Sequence, residues 1–391
     1  MRIRLLMTTM GGALAAFSGL ALAQGGASST KVEQVVTPPK QQYWMDVRTT
    51  SGLGGMAGGG VAAAAQAMRG GENSLATMQL WLGSADAPAK GDPQASHLVP
   101  AAAKIGPNLP LVTPKKGKVP VVEGEEPMEQ PKGRLLLFYG CGEKAKTGQP
   151  IVFDFSKIAA GETPPGLQSR VRGARSQSFK PSNWRTYGLW PNEKERQSIL
   201  PAGASLAGDH KVSGNYTPDM AFALGGDKDV MAPVTFTRNE KTATGSVALA
   251  WNAVPNATGY HAIAMGGGED EYVFWSSSAV QTFDGGAYDF VAPREAERLV
   301  REKVFLAPSA TTCTVPQEVV KAMEAAAGSR KGDDGDIGGM LMFSAYGPEY
   351  NKIEPPRPQD PKVAWNQQYA VKARFASGSI QMLGRAMPTM G

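Results

Sequence analysis

The chain has 391 residues and a formal net charge of +5, with 42% hydrophobic and 19% charged side chains. That length favours two or three domains, and a low charged fraction beside 47 glycines and 29 prolines favours turn-rich β structure. Lys and Arg are dispersed among Asp and Glu, which argues against the concentrated basic face of a nucleic-acid binder; the densest basic run, 170–185, is broken by Ser, Gly and Pro and reads as a solvated loop.

Residues 1–23 read as an export signal. Arg2 and Arg4 precede an uncharged apolar stretch, and Ala21-Leu22-Ala23 forms a small-residue cleavage site. Nothing later offers the roughly 20 apolar residues of a spanning helix, so a soluble periplasmic or secreted protein with no transmembrane segment in its mature form is expected. Residues 24–42 read as a flexible polar tail. The alternation of YWMDVRTT (43–50) predicts a half-buried strand, and MQLWL (78–82) a second. Between them the Gly/Ala-rich stretch 51–71 reads as a loop, because its glycines lack the strand-to-helix placement of a phosphate cradle. Residues 93–131 carry spaced prolines and are expected to be an extended, structureless linker or insertion. RLLLFYGCGE (134–143) predicts a buried strand, paired as a hairpin with IVFDF (151–155). From 182 to 224 aromatic residues are dense. Trp184, Tyr187 and Trp190 either pack on a sheet or line a ligand surface, and packing is the commoner use of such rings.

The clearest module begins at Pro233. SVALAW (246–251) alternates onto Trp251, VPNATG follows, and Tyr260 opens the next strand, with further strands expected near 271–278, 338–346 and 367–375. In this arrangement residues 233–376 resemble a fibronectin type III-like β-sandwich, whose core tryptophan and strand-opening tyrosine match Trp251 and Tyr260. Two short helices interrupt the pattern, at 293–304 and 316–327; Thr314 and Gln317 suggest a capping box for the second. LLFYGCGE (136–143) weakly echoes MFSAYGPE (342–349), which would suit two related sandwiches. As a whole the chain is similar to uncharacterised exported proteins of Proteobacteria, a resemblance that implies no activity.

No complete catalytic motif is present. The three histidines, His97, His210 and His261, lack metal-ligand spacing. Asp209 and His210, with Ser205 and Tyr216 nearby, are the only adjacent acid–base pair worth testing as catalytic candidates, although no nucleophile elbow precedes them. The acidic turns 268–271 and 332–336 do not match the calcium-loop pattern. Cys141 and Cys313 allow a disulfide, two separate thiols or a reactive Cys141; export makes the disulfide the expected state.

The expected architecture is therefore mainly β, as two β-sandwich-like domains of fibronectin III or Ig type, the second with inserted short helices. Their expected spans are 43–230, including the 93–131 segment, and 231–378, with 379–391 as a C-terminal tail. The expected function is a non-enzymatic binding or envelope-associated structural role, with an envelope protein or a glycan as partner and neither metal nor cofactor. The competing reading is a periplasmic hydrolase or carbohydrate-active enzyme built around Asp209 and His210.

Overall fold

The computed structural model describes residues 33–53, 74–114, 132–159, 177–193, 198–268, 270–282, 289–328 and 337–385. In the first half the elements are β1 (Val36–Thr37), β2 (Gln41–Gly52), β3 (Ser74–Ser84), β4 (Ala95–Leu98), β5 (Asn108–Leu111), β6 (Arg134–Tyr139) and β7 (Ile151–Asp154). A short helix α1 (Phe155–Ala159) follows, then β8 (Thr186–Trp190), β9 (Ile199–Leu200), β10 (Gly208–Gly214) and β11 (Thr217–Leu224). The second half holds β12 (Phe236–Lys241), β13 (Val247–Trp251), β14 (Gly259–Gly267), β15 (Glu271–Ser276), α2 (Pro293–Arg301), β16 (Thr312–Val315) and α3 (Gln317–Ala327). It ends with β17 (Gly339–Glu354), β18 (Trp365–Asn366) and β19 (Tyr369–Met382).

Ten strands form one mixed sheet in the order β7-β6-β15-β14-β17-β19-β2-β3-β8, with β9 also paired to β3. Two of its seams are parallel, and both join strands from different halves of the chain: β6 with β15 and β2 with β19 over twelve residue pairs. The position 230/231, where a domain boundary is expected, thus separates two segments whose strands interleave in a single sheet. Two smaller sheets, β11-β10-β4-β5 and β12-β13-β16, contribute to the same hydrophobic core as one face of the large sheet.

Side chains alternate across a strand, and β2 shows the consequence. Tyr43, Met45 and Val47 belong to that core, where Tyr43 meets Phe222 of β11. Further along the sheet Tyr260 and Phe343 pack against Trp251 of β13, with ring centroids 5.8 and 4.6 Å away. Each such side chain contributes about 1.5–3 kcal/mol by leaving water. The opposite face of β2 carries Trp44, Asp46 and Arg48, of which Trp44 and Asp46 are buried as well. A strand expected to be half-buried is covered on both sides, because other segments of the chain lie over its polar face. Near the middle of the large sheet the cover is α2, whose Ala296 and Leu299 pack beside Phe305. Phe305 in turn stacks on Tyr346 at 4.7 Å.

Other expectations need correcting. The 93–131 segment is structured where it is described: β4 and β5 pair with each other and β4 with β10, because His97, Val99, Leu109 and Leu111 give this proline-spaced stretch a buried face. The cap of α3 is Pro316, with no side-chain capping bond; Thr314 is instead inside β16, paired with Ala248. The last strand runs past 378 to Met382, and Leu383 beyond it is buried. The tail expected at 24–42 is tied down at its end, where Val36 and Thr37 pair with Trp365 and Asn366 and Gln34 bonds the 358–363 turn. The export signal, the 51–71 loop beyond Leu53, and the acidic turn 332–336 with Glu269 lie outside the described residues.

Cys141 and Cys313 form a disulfide, with Cα atoms 5.3 Å apart. It fastens the turn after β6, on the large sheet, to β16 of a small one. Hydrogen bonds reinforce the joint: the Gly142 amide donates to the Thr314 carbonyl, the Gln317 amide to Glu143, and the Trp275 indole to Gly140. With the cysteines separated by 172 positions in sequence, chain-entropy reasoning assigns the bridge about 4–5 kcal/mol.

Candidate functional site

On the outer face of β2, β3 and β19 lies a pocket of about 340 Å³, within the size range of small-molecule sites. At its floor Asp46 of β2 and Arg374 of β19 form a bidentate pair, Nε to Oδ1 at 2.6 Å and Nη2 to Oδ2 at 2.5 Å. Only 9% of either side chain is exposed. The parallel β2/β19 seam sets this geometry by placing the two residues directly opposite each other. Each nitrogen of Arg374 donates a hydrogen bond. Its Nη1 donates to the Gln177 carbonyl, and its guanidinium lies between the rings of Trp44 and Phe290, 4.6 Å from each centroid, where the π faces favour the cation. Burial pushes the Asp46 carboxyl above its ordinary range, outweighing the opposing pull of Arg374.

Beside this pair sits Arg48, two residues from Asp46 and therefore on the same face. Its Nη1 donates to the Asp289 carbonyl at 2.9 Å and its Nη2 approaches Ser344 Oγ at 3.5 Å. Gly378 makes room for it, since a Cβ there would lie 2.9 Å from Arg48 Nη2. Among the described residues no carboxylate pairs with Arg48. Gln79, Thr77 and Trp81, alternate residues of β3, supply the facing wall together with Phe179. Trp81 and Phe179 stack at 6.3 Å with their planes 23° apart, and Phe179 stacks in turn on Trp184. Gly83 lets Trp184 rest on the sheet: a Cβ at Gly83 would lie 2.5 Å from the indole.

The three aromatic residues singled out in the sequence therefore divide. Trp184 is half-buried against Phe179 of the pocket wall and Tyr187 is half-buried on β8, whereas Trp190 is buried in the core. Asp46, Arg48, Trp81 and Arg374 were missed, because each reads as the solvent-facing half of an alternating strand. The available signal was the spacing of Trp44, Asp46 and Arg48, an aromatic, an acid and a base on one face of one strand.

A second polar cluster lies on the other side of β2. The Tyr43 hydroxyl is 2.7 Å from His97 Nδ1, His97 Nε2 is 2.9 Å from His210 Nδ1, and His210 Nε2 is 2.7 Å from the Leu206 carbonyl. A carbonyl only accepts, so His210 Nε2 carries a proton; in neutral rings His97 then donates to His210 and Tyr43 donates to His97. Burial keeps both imidazoles below their ordinary pKa, and His97 is also lowered by the charge of His210. Burial likewise pushes the Tyr43 phenol well above its usual value. Phe222 stacks on His210 at 4.9 Å. Every member of the chain has its partner.

Asp209 and His210 are not brought together. As neighbours on β10 they point to opposite sides, Asp209 exposed and His210 buried. Ser205 bonds Asp229, whose other oxygen accepts from the Leu206 and Val230 amides. His261 is buried beside Phe305. Among the described residues no group of three or more His, Cys, Asp or Glu is placed to hold a metal ion, and no helix is long and apolar enough to cross a membrane. No family model, curated protein or solved structure matches the chain.

Proposed function

We propose that the protein is a non-enzymatic, exported binding module whose ligand site is the outer-face pocket. The observation that carries this reading is the buried Asp46–Arg374 pair at the floor of a cavity walled by aromatic rings, with Arg48 beside it. A pocket combining apolar walls with a few convergent polar groups is the usual form of a small-ligand site. Binding is favoured over catalysis because both oxygens of Asp46 accept from Arg374, leaving that carboxylate poorly placed to move a proton, and because His210 is spent on His97 and Leu206. A disulfide suits an oxidising compartment, in keeping with the export signal. The Trp251–Tyr260 contact between two sheets supports a fibronectin III-like sandwich within 233–376.

A thermal-shift screen of small polar compounds tests the site. A compound bound at one hundred times its Kd stabilises the protein by about 2.7 kcal/mol, and the shift should vanish in Trp81→Ala and Gln79→Ala. Stabilisation that survives in both variants would place the ligand elsewhere.

A further inference from the structure

We infer that the pocket takes a neutral carbohydrate, such as the end of a glycan; this rests on the binding reading above. Among the described residues the charges lining the cavity balance, Arg48 and Arg374 against Asp46 and Asp289. The Asp46 and Asp289 carboxylates repel an anionic ligand and the Arg48 and Arg374 guanidinium groups a cationic one, so neither charge is favoured. A wholly apolar ligand would strip water from Gln79 and Arg48 without replacing their hydrogen bonds, which is costly. A flat base is also a poor fit as a sandwiched guest: a ring between Trp81 and Phe179 needs about 7 Å of separation for contact on both sides, and those rings are already stacked at 6.3 Å.

What remains is a one-sided aromatic wall beside planar hydrogen-bonding groups. A pyranose ring matches that arrangement, because it offers a C–H face for Trp81 and, around its rim, hydroxyls that both donate and accept. The side-chain amide of Gln79 can meet neighbouring hydroxyls as donor and acceptor, and Arg48, held by the Asp289 carbonyl, presents further N–H groups as donors. Trp44 and Arg374 stack beneath, fixing the floor before any ligand arrives, so little ordering cost falls on binding.

The test uses the mature protein and follows tryptophan emission and titration heat with glucose, N-acetylglucosamine and maltotriose, against glucuronate and the dipeptide glycyl-leucine. At least one neutral saccharide should give a saturable signal, weakened about tenfold or more in Trp81→Ala by loss of the aromatic contact and weakened also in Gln79→Ala, with glucuronate binding no tighter than glucose. Because Trp81→Ala could disturb the sheet, its denaturation midpoint is measured alongside, and Gln79→Ala carries the test if that midpoint falls. A Trp81-dependent response to the dipeptide alone overturns the carbohydrate assignment and leaves the pocket as a binding site. A saccharide response untouched by both variants overturns the location. Silence from every probe overturns the carbohydrate assignment; if the broader compound screen is silent too, the binding reading falls with it.

Discussion

Tyr43 and Asp46 stand three residues apart on one strand and point to opposite sides of it, each ending in a buried polar network. On the core side the Tyr43–His97–His210 chain ends on a backbone carbonyl, with every ring nitrogen bonded and Phe222 packed over it. On the outer side the Asp46–Arg374 pair is also buried but forms the floor of a cavity, beside an arginine that keeps donors unspent. The difference separates two uses of burial. A saturated network packed in the core fixes structure, whereas a charged pair at the floor of a cavity, with Arg48 beside it, leaves donors for a ligand. Histidines are the residues a reader of sequence inspects first, yet here the aspartate and arginine hold the better claim to function.

The largest expected effect comes from halving the outer pair. Arg374→Ala leaves Asp46 buried without its partner and should cost about 3–5 kcal/mol in urea denaturation, while the volume-matched double variant Asp46→Leu/Arg374→Met should recover most of that loss. If the single variant costs less than about 1 kcal/mol, the pair is effectively solvated and the contrast with the histidine chain collapses. Asp46 is already raised by burial, and removing Arg374 raises it further. A raised carboxyl takes up its proton in the folded state before the unfolded one, so the deficit of Arg374→Ala should shrink as pH falls toward 4.

Acid should act on the core side with the opposite sign. His97 and His210 have folded-state pKa values lowered by burial, so their stability contribution is complete above the unfolded value near 6.5 and is lost as pH falls below it. As pH falls from 7.5 to 5 both histidines lose stability in the same direction. Stability of wild type measured between pH 7.5 and 5 checks this, and the same series in His97→Phe/His210→Leu should be flatter. A smaller effect is expected from His210→Leu alone at pH 7.5, about 1–3 kcal/mol, since it strands the His97 Nε2 proton and the Leu206 carbonyl. Saccharide binding should survive that variant, because the chain lies across the sheet from the pocket.

Local pattern revealed the pieces and left their partners hidden. The strands at 43–50, 134–139, 247–251 and 271–276, both inserted helices and the β-rich class follow from alternation, proline placement and turn density. Cys141 and Cys313 could be matched because two cysteines admit one bridge. No such arithmetic exists for strand pairing. β2 meets β19 across more than 300 residues, and that seam alone turns Asp46 and Arg374 from two apparently solvated charges into one site. Likewise His97 looked like part of an extended proline-spaced linker, since nothing near it in sequence shows that β10 lies alongside. Side chains on the polar half of an alternating strand read as exposed unless something covers them, and the cover here, Phe179 and Phe290, comes from segments with no period at all.

The smallest expected effect falls on Asp209, one of the two catalytic candidates read from the sequence. Asp209→Ala should change stability by no more than about 0.5 kcal/mol, the usual range for an exposed position, since its charge acts on His210 only as a lesser pull against burial. Its carboxylate lies on the exposed side of β10, while His210 turns inward to His97. Adjacent residues on a strand cannot share a task that requires contact, whatever their chemistry suggests when written side by side. Measured with Arg374→Ala and His210→Leu under one set of conditions, Asp209→Ala serves as the baseline for both networks. A loss above about 1 kcal/mol would mean that Asp209 supports the histidine chain through its charge, and the relay would then not be closed at Leu206.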